Sequence, residues 1–392
     1  MPHTSYLIPH TRESSHYDYI IAGAGAAGLS LLVRMITSGK FADKQILLLD
    51  KEPKNKNDRT WCFWEKGPGF FESIVYKSWS SLSIHRPGFS KQFDIEPYRY
   101  KMIRGIDFYN YCFALITSQK NITVLYGLVK DMYTDENETS LFLGDRKFTA
   151  DYIFNSIIFD KPPPGKKEIY LLQHFKGWVI ETSESIFKEE QATLMDFRVT
   201  QGKGTAFVYV MPFSSNSALV EYTMFSEQLL PDSDYDKNLR DYIDNQLHCK
   251  QYTITSEEWG IIPMTNHRFS TSKNKIIHMG TVGGQTKAST GYTFRFIQKN
   301  AAAIVEALST GSKQLNQQMS SGKYHFYDSV LLNVLATGKL AGDKIFTRLF
   351  QKNHPHTIFQ FLDNESTLSQ DLKLISTLPT IPFLRAGLQE LL

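Results

Sequence analysis

Residues whose types and spacing could do chemistry fall in two short stretches. In the first, Gly23-x-Gly25-x-x-Gly28 follows the apolar run Tyr19-Ile20-Ile21-Ala22 without a gap. A strand that turns on such glycines into a helix suits a dinucleotide: Gly23 allows the tight turn, Gly25 leaves bare backbone for the pyrophosphate, and Gly28 lets the helix pack close to the strand. Ala26 and Ala27 begin that helix, whose N–H groups face the phosphates. A second apolar strand, QILLLD, ends at Asp50, 22 residues past Gly28. Asp50 is thereby placed to accept from a ribose hydroxyl, with Glu52 as the substitute if the strand runs two residues further. In the second stretch, Leu219-Val220-Glu221-Tyr222-Thr223-Met224-Phe225, a single carboxylic acid lies among apolar and aromatic neighbours. Strand alternation puts Glu221 and Thr223 on one face, with Leu219 and Phe225 beside them. An acid in such surroundings has a raised pKa and can stay protonated as a donor, with Thr223 orienting it by a hydrogen bond. A solvent-facing strand residue is the alternative reading of Glu221.

A second glycine-rich loop, residues 280–294, carries Gly280, Gly283, Gly284 and Thr290-Gly291-Tyr292 and leads into a helix. Its backbone N–H groups can meet a second phosphate or the edge of a flavin ring. A Rossmann unit for a nicotinamide alone needs no returning strand and second glycine loop so late in the chain, which favours a flavin. Thr281 stands where flavin hydroxylases carry an acid, which counts against hydroxylation. Arg59 opens the run RTWCFW and either neutralises the pyrophosphate or caps the loop. Trp61, Phe63, Trp64 and Tyr292, with Phe213 ahead of the Glu221 strand, are candidate pocket walls; core packing is the rival reading for each. Asp196 and Glu181 are further acids of either structural or chemical role. His174 reads as a packed, hydrogen-bonded histidine rather than a base.

These residues need elements to position them. A helix runs from Gly28 to about Ser38 and stops at Gly39, and a second covers 106–119. Residues 122–156 read as a strand, a hairpin and a strand, the last returning to the parallel sheet. Trp79 to Phe93 and the stretch around Tyr98-Arg99-Tyr100 read as strands of a second sheet. Residues 166–270 alternate apolar and polar, the pattern of an antiparallel sheet with one face covered, and Pro162-Pro163-Pro164-Gly165 reads as a stiff linker. Residues 275–280 form a buried strand, 292–308 a helix stopped by Gly311, and the remainder is helical. The expected fold is α/β, with a polar N-terminal arm over 1–16. A Rossmann-type FAD-binding domain takes 17–75, 101–160 and 271–311, and an inserted antiparallel-sheet substrate domain takes 76–100 and 161–270. A helical C-terminal region takes 312–392.

The 392 residues suffice for two or three domains. Apolar residues at 42% and charged residues at 21% mark an ordinary globular chain. The net charge of +3, with no basic tract, argues against a nucleic-acid partner. Three cysteines without CxxC spacing suggest neither a disulfide framework nor a metal site and fit a reducing cytoplasm. No apolar run reaches the roughly 18 residues of a membrane span, and the polar start has no signal-peptide core. Aromatics at 13% suit either large aromatic cores or a long apolar, conjugated ligand.

Five stretches carry a family resemblance: YDYIIAGAGAAGLSL, NDRTWCFW, MPFSSNSALVEYTMFS, TGYTF and FLDNESTLSQDLKLISTLP. Over about residues 17–385 the chain resembles the bacterial lycopene cyclases, which form β-ionone rings on linear carotenoids. The resemblance implies FAD used in its reduced form, NADH or NADPH as reductant, and a cyclisation with no net redox change. The family's acid motif reads aromatic-x-Glu-x-Thr. Glu221 and Thr223 match it, while Leu219 stands at the aromatic position. Glu221 would then be the proton donor and the site of final deprotonation, with aromatic faces and the flavin steadying the cation. A hydrophobic carotenoid substrate further implies a membrane surface as partner and a peripheral position on its cytoplasmic, inner face. The C-terminal helices, edged by Lys339, Lys344, Arg348 and Lys352, suit interfacial contact, with packing against the body as the rival. A flavin monooxygenase or desaturase acting on a polyene, and a noncatalytic flavin or carotenoid carrier, are the alternatives.

Overall fold

The computed structural model describes residues 15–159, 165, 168–202, 204–312, 315 and 322–391. The arm up to residue 14 and Pro162-Pro163-Pro164 lie outside them. The first sheet is built on five parallel strands in the order Ile276–His278, Arg146–Asn155, Ser15–Ala22, Ile46–Asp50 and Ile122–Tyr126. Such strands are buried on both faces and read as unbroken apolar runs, as Ile46–Asp50 does with all five residues buried. Helices Ala26–Ser38, Gly105–Ile116 and Phe294–Ser309 cover one face through Leu29, Leu32, Phe108, Cys112, Ile297 and Ile304. The antiparallel hairpin Val129–Thr134/Thr139–Leu143 covers the other through Val129, Leu141 and Leu143. This is the Rossmann-type α/β arrangement, with helix Ala26–Ser38 starting at the second glycine of the fingerprint and stopping at Gly39 in the left-handed region (φ 68°).

The second sheet has seven strands in the order Tyr252–Thr265, Tyr170–Thr182, Ser217–Ser226, Thr205–Ser214, Gln191–Asp196, Ser81–Arg86 and Phe89–Asp94. It departs from the sequence reading in three ways. Gln191–Asp196 pairs with Ser81–Arg86 in parallel, so the sheet is mixed. Tyr98–Arg104 belongs elsewhere, in a separate three-stranded sheet with Thr60–Lys66 and Lys77–Trp79. Both faces are covered rather than one. Helix Asp232–Asn245 packs Tyr235, Leu239, Tyr242 and Ile243 beneath Val208, Val220 and Tyr222. On the opposite face Phe207, Leu219 and Phe225 meet Leu332, Phe346 and Phe359 of the C-terminal helices.

Those helices are Lys323–Ala336, Gly342–Lys352, Pro355–Leu362, Leu368–Ile375 and Thr380–Leu391. The last falls within the helical region expected over 312–392, although Pro379 and Pro382 punctuate its first turn and mask its period. The helix expected over 292–308 starts later, at Phe294. No helix among the described residues is long and apolar enough to cross a membrane.

Candidate active site

The glycine turn at the end of strand Ser15–Ala22 is shaped by contacts that exclude side chains. Gly23 has φ 102°, and a Cβ there would stand 2.3 Å from Ser156 Oγ. A Cβ at Gly28 would stand 2.0 Å from the Gly23 carbonyl oxygen, so this glycine is what lets helix and strand close together. At Gly25 an added Cβ meets nothing within 4 Å. The open space there is part of a 450 Å³ cavity lined by Gly25, Ala26, Ala27, Lys54, Asp58, Arg59 and Ser156. Bare backbone, a helix N-terminus and two cations fit the pyrophosphate of a dinucleotide.

Asp50 ends its strand as expected, but it is turned inward. Its Oδ2 accepts from the Ala24 N–H at 2.7 Å, and its Oδ1 pairs with Lys54 Nζ at 3.0 Å. It braces the glycine turn and does not line the cavity, while Glu52 is exposed. The second glycine loop also differs from expectation. Gly280 and Gly291 line the cavity, but their N–H groups are committed to Gln285 Oε1 (2.8 Å) and the Lys287 carbonyl (2.8 Å). Gly283 and Gly284 donate to Met279 and Thr281 and stand outside the cavity wall. A 3₁₀ turn over Gly280–Gly283 takes up the Gly283 and Gly284 donors, while Gly280 is held by the Gln285 side chain and Gly291 by its own turn on Lys287.

The same cavity reaches the second sheet, where it meets Glu221. Alternation along Ser217–Ser226 sends Ala218, Val220, Tyr222 and Met224 into one core and Leu219 and Phe225 toward the other, so Glu221 and Thr223 share the latter side as anticipated. Thr223 Oγ1 donates to Glu221 Oε1 at 3.0 Å. A second acid missed at the sequence level stands opposite. Gly177 is paired with Glu221 on one side and with Glu258 on the other, which puts both carboxyls in one row on one face of the sheet. The glycine is what leaves them room: a Cβ at 177 would lie 3.0 Å from Glu258 Cγ and 2.9 Å from Leu219 Cδ1. Thr60 Oγ1 donates to Glu258 Oε2 at 2.5 Å. Glu258 Oε1 is buried with no donor when both acids are counted as ionised. A proton on Glu221 supplies one.

Burial, the adjacent Glu258 charge and a hydrogen bond with Glu258 hold the Glu221 carboxyl well above the usual carboxylate range; the Thr223 bond opposes them more weakly. Tyr209, next in the same row, lines the cavity with Tyr100 and Tyr292. The Tyr292 hydroxyl is hydrogen-bonded to both of the others, and burial pushes all three phenols up so that they remain neutral. The arrangement therefore offers a carboxyl with a raised pKa, an adjoining acid and neutral phenol rings on one stretch of the cavity wall.

The aromatic candidates separate. Trp61 and Tyr292 line the cavity. Phe63 does not, being stacked on Phe294 with ring centroids 4.7 Å apart. Trp64 is buried against Phe359 at 4.9 Å, and Phe213 packs edge-on to Tyr76 at 5.2 Å. Core packing claims all three. Asp196 is tied to Arg198 (2.6 Å) and the Tyr242 hydroxyl (2.8 Å), and Glu181 is exposed at a strand end. His174 is packed, as read. Ser226 donates to the Gln228 carbonyl, so His174 Nε2 carries the hydrogen that Ser226 Oγ accepts at 2.7 Å, leaving Nδ1 to accept from the Tyr235 hydroxyl at 2.6 Å. Among the described residues no cluster of His, Cys, Asp and Glu could hold a metal ion.

Fold and site together define a flavoprotein-type α/β protein with a buried carboxyl of raised pKa on the wall of the cavity that holds its glycine fingerprint. Solved structures with this fold include a geranylgeranyl bacteriochlorophyll reductase-like protein from Thermoplasma acidophilum. It is 13% identical, with a TM-score of 0.65, covering 97% of this chain and 100% of its own. A flavoprotein/dehydrogenase from Cytophaga hutchinsonii is also 13% identical, with a TM-score of 0.60 and coverage of 96% and 99%. A flavin-dependent brominase is 10% identical at 0.60, covering 92% and 98%. The model of the family described as lycopene cyclase protein matches residues 18–388, and the chain belongs to that family. Curated relatives include a lycopene beta-cyclase from Pantoea ananas, 24% identical over 95% of this chain and 97% of the relative. A chloroplastic neoxanthin synthase from Solanum tuberosum is 24% identical over 81% of this chain, a match spanning 66% of that protein's length.

Proposed function

We propose that this protein is a lycopene β-cyclase, converting the linear end groups of a carotenoid to β-ionone rings by proton-initiated chemistry without net redox change. The observation that carries this reading is the Glu221 carboxyl, kept neutral on the wall of a cavity that also touches the fingerprint residues Gly25, Ala26 and Ala27. Family membership and the relatives' names support the same class of chemistry.

Ring formation asks the protein for three acts. Glu221 gives its proton to one carbon of the terminal double bond, leaving a cation at the neighbouring carbon. The next double bond attacks that cation, closing a six-membered ring and moving the charge into it. Loss of a ring proton to the Glu221 carboxylate then sets the ring double bond and restores the acid, so substrate and product have the same composition. Thr223 orients the donor, and Glu258, held by Thr60, keeps its pKa high until the proton leaves. Trp61, Tyr100, Tyr209 and Tyr292 keep water out and turn π-faces toward the cation. FAD fits the cradle of Gly25, Ala26, Ala27, Lys54 and Arg59, and in its reduced form it supplies an electron-rich surface, with NADH or NADPH consumed only to reduce it. The water-insoluble substrate places the enzyme at the cytoplasmic face of a membrane as a peripheral protein, through its C-terminal helices.

The neutral-acid geometry favours cyclisation over a monooxygenase or desaturase. Glu221→Gln keeps shape and burial but removes the transferable proton. Ring formation should fall by about three orders of magnitude or more, with the fold and flavin content retained. Ring formation at the wild-type rate in this variant would refute the assignment.

A further inference from the structure

A second cavity, of 350 Å³, lies among the five C-terminal helices. Its wall is apolar, formed by Val330, Leu331, Phe346, Leu349, Leu374 and Phe383 among others. The acid on this wall, Asp328, is already engaged: its carboxylate takes Lys287 Nζ at 3.1 Å and the Ser289 hydroxyl at 2.6 Å. The cavity therefore has no charged group to spare for a polar ligand.

Two features give it direction. At its inner end Thr290 borders both this cavity and the one holding Glu221. Lys287 and Ser289, anchored to Asp328, and Lys287 to Asn364 Oδ1 at 2.9 Å, fix the loop that carries Thr290. At its outer end Leu384 and Leu388 line the cavity yet remain 62% and 60% exposed. With Ile381 on the same helix, at spacing i, i+3, i+7, they form an exposed apolar ridge, and Leu368 and Leu372 on the helix before it are exposed as well. Exposed cations stand on the same two helices, Lys373 on one and Arg385 on the other. Exposed apolar rows beside cations on consecutive helices suit helices lying in a bilayer interface.

We propose that this cavity is a lipid-facing port for a long apolar isoprenoid chain: the chain leaves the bilayer between Leu384 and Leu388, is sheathed among the C-terminal helices, and presents its end group past Thr290 to Glu221. The inference rests on the cyclase reading for the identity of the end-group chemistry, but not for the binding of the chain.

Gly387 gives a clean test, because a Cβ there would touch Phe326 Cζ at 3.6 Å and Val330 Cγ2 at 3.9 Å, ordinary contacts. Gly387 lines the cavity, so Gly387→Phe adds bulk at its wall from a Cβ that meets no backbone. Binding of lycopene to the flavin-loaded protein, read by quenching of tryptophan emission, should weaken about tenfold, and KM should rise about as much. Flavin content and melting temperature should stay as in the wild type. Unchanged binding and KM would overturn the proposal. Wild-type protein that binds lycopene but leaves it unchanged would overturn the cyclase reading and leave the port standing.

Should Gly387→Phe fail to fold, the exposed pair Leu384→Asp/Leu388→Asp replaces it. That variant should lose co-flotation with phosphatidylglycerol-containing vesicles and take lycopene from them at least about tenfold more slowly. Full transfer from vesicles, or a dimer turned to monomer with transfer intact, would show that the ridge meets a second copy and would overturn the port.

Discussion

Gly177 stands between Glu221 and Glu258 with no side chain, so the Glu258 charge lies close enough to help raise the Glu221 pKa, with burial the larger cause. Glu221 must be protonated to donate, so activity is full at pH below its raised pKa and is lost as pH rises through it. Glu258→Gln removes one of the charges that raise that pKa. The alkaline limb of the kcat profile should therefore move to lower pH. A limb that stays in place would mean that the two acids are not coupled. At this scale the placement of the acid was legible, since period-two alternation inside one strand is enough to put Glu221 and Thr223 on a common face. Glu258 was not. It sits in Ser256-Glu257-Glu258, which reads as a wet edge strand, and only pairing across Tyr170–Thr182 brings it to Glu221. Asp50 shows the limit from the other side: its position at the strand end was readable, but its rotation onto the Ala24 N–H was not.

The elements carry their own chemistry. His174, on strand Tyr170–Thr182, ties Ser226 on its neighbour to Tyr235 on helix Asp232–Asn245. Burial lowers its pKa from 6.5 to about 4. Between those values the unfolded chain binds the proton and the folded chain does not, so the stability His174 contributes is present above about 6.5 and lost as pH falls toward 4. His174→Gln should thus be less stable than wild type at pH 7, and the difference should shrink by up to about 2 kcal/mol on acidification to pH 4.5. Denaturant melts at the two pH values measure it, and a constant gap would contradict the neutral-imidazole role. Helix Asp232–Asn245 was itself readable in principle: Tyr235, Leu239, Tyr242 and Ile243 recur at helical spacing. Its dense charges conceal that stripe among alternating strands. The glycine loop over 280–291 was legible as a turn before a helix, whereas the internal use of its N–H groups depends on a 3₁₀ turn, a second turn at Lys287–Gly291 and the Gln285 side chain.

At the scale of the molecule, the cavity exists because two sheets meet: one contributes the fingerprint and the other the acid row. The parallel sheet was legible because buried parallel strands are continuous apolar runs. The extra sheet of Thr60–Lys66, Lys77–Trp79 and Tyr98–Arg104 was not, because strand composition does not say which sheet a strand joins. The aromatic abundance divides the same way, with Trp61, Tyr100, Tyr209 and Tyr292 facing the cavity while Phe63 and Trp64 fill cores. An aromatic wall with an acid of raised pKa predicts chemistry that starts with a proton and ends with one removed. The most direct test is to incubate the protein with reduced FAD and lycopene in liposomes, without oxygen and in deuterium oxide, and to weigh the recovered carotenoid. A cyclic product with the atom count of lycopene and solvent deuterium in the ring is the predicted result. A product formed only in air, heavier by oxygen or poorer in hydrogen, would contradict the account and take Glu221 out of its role.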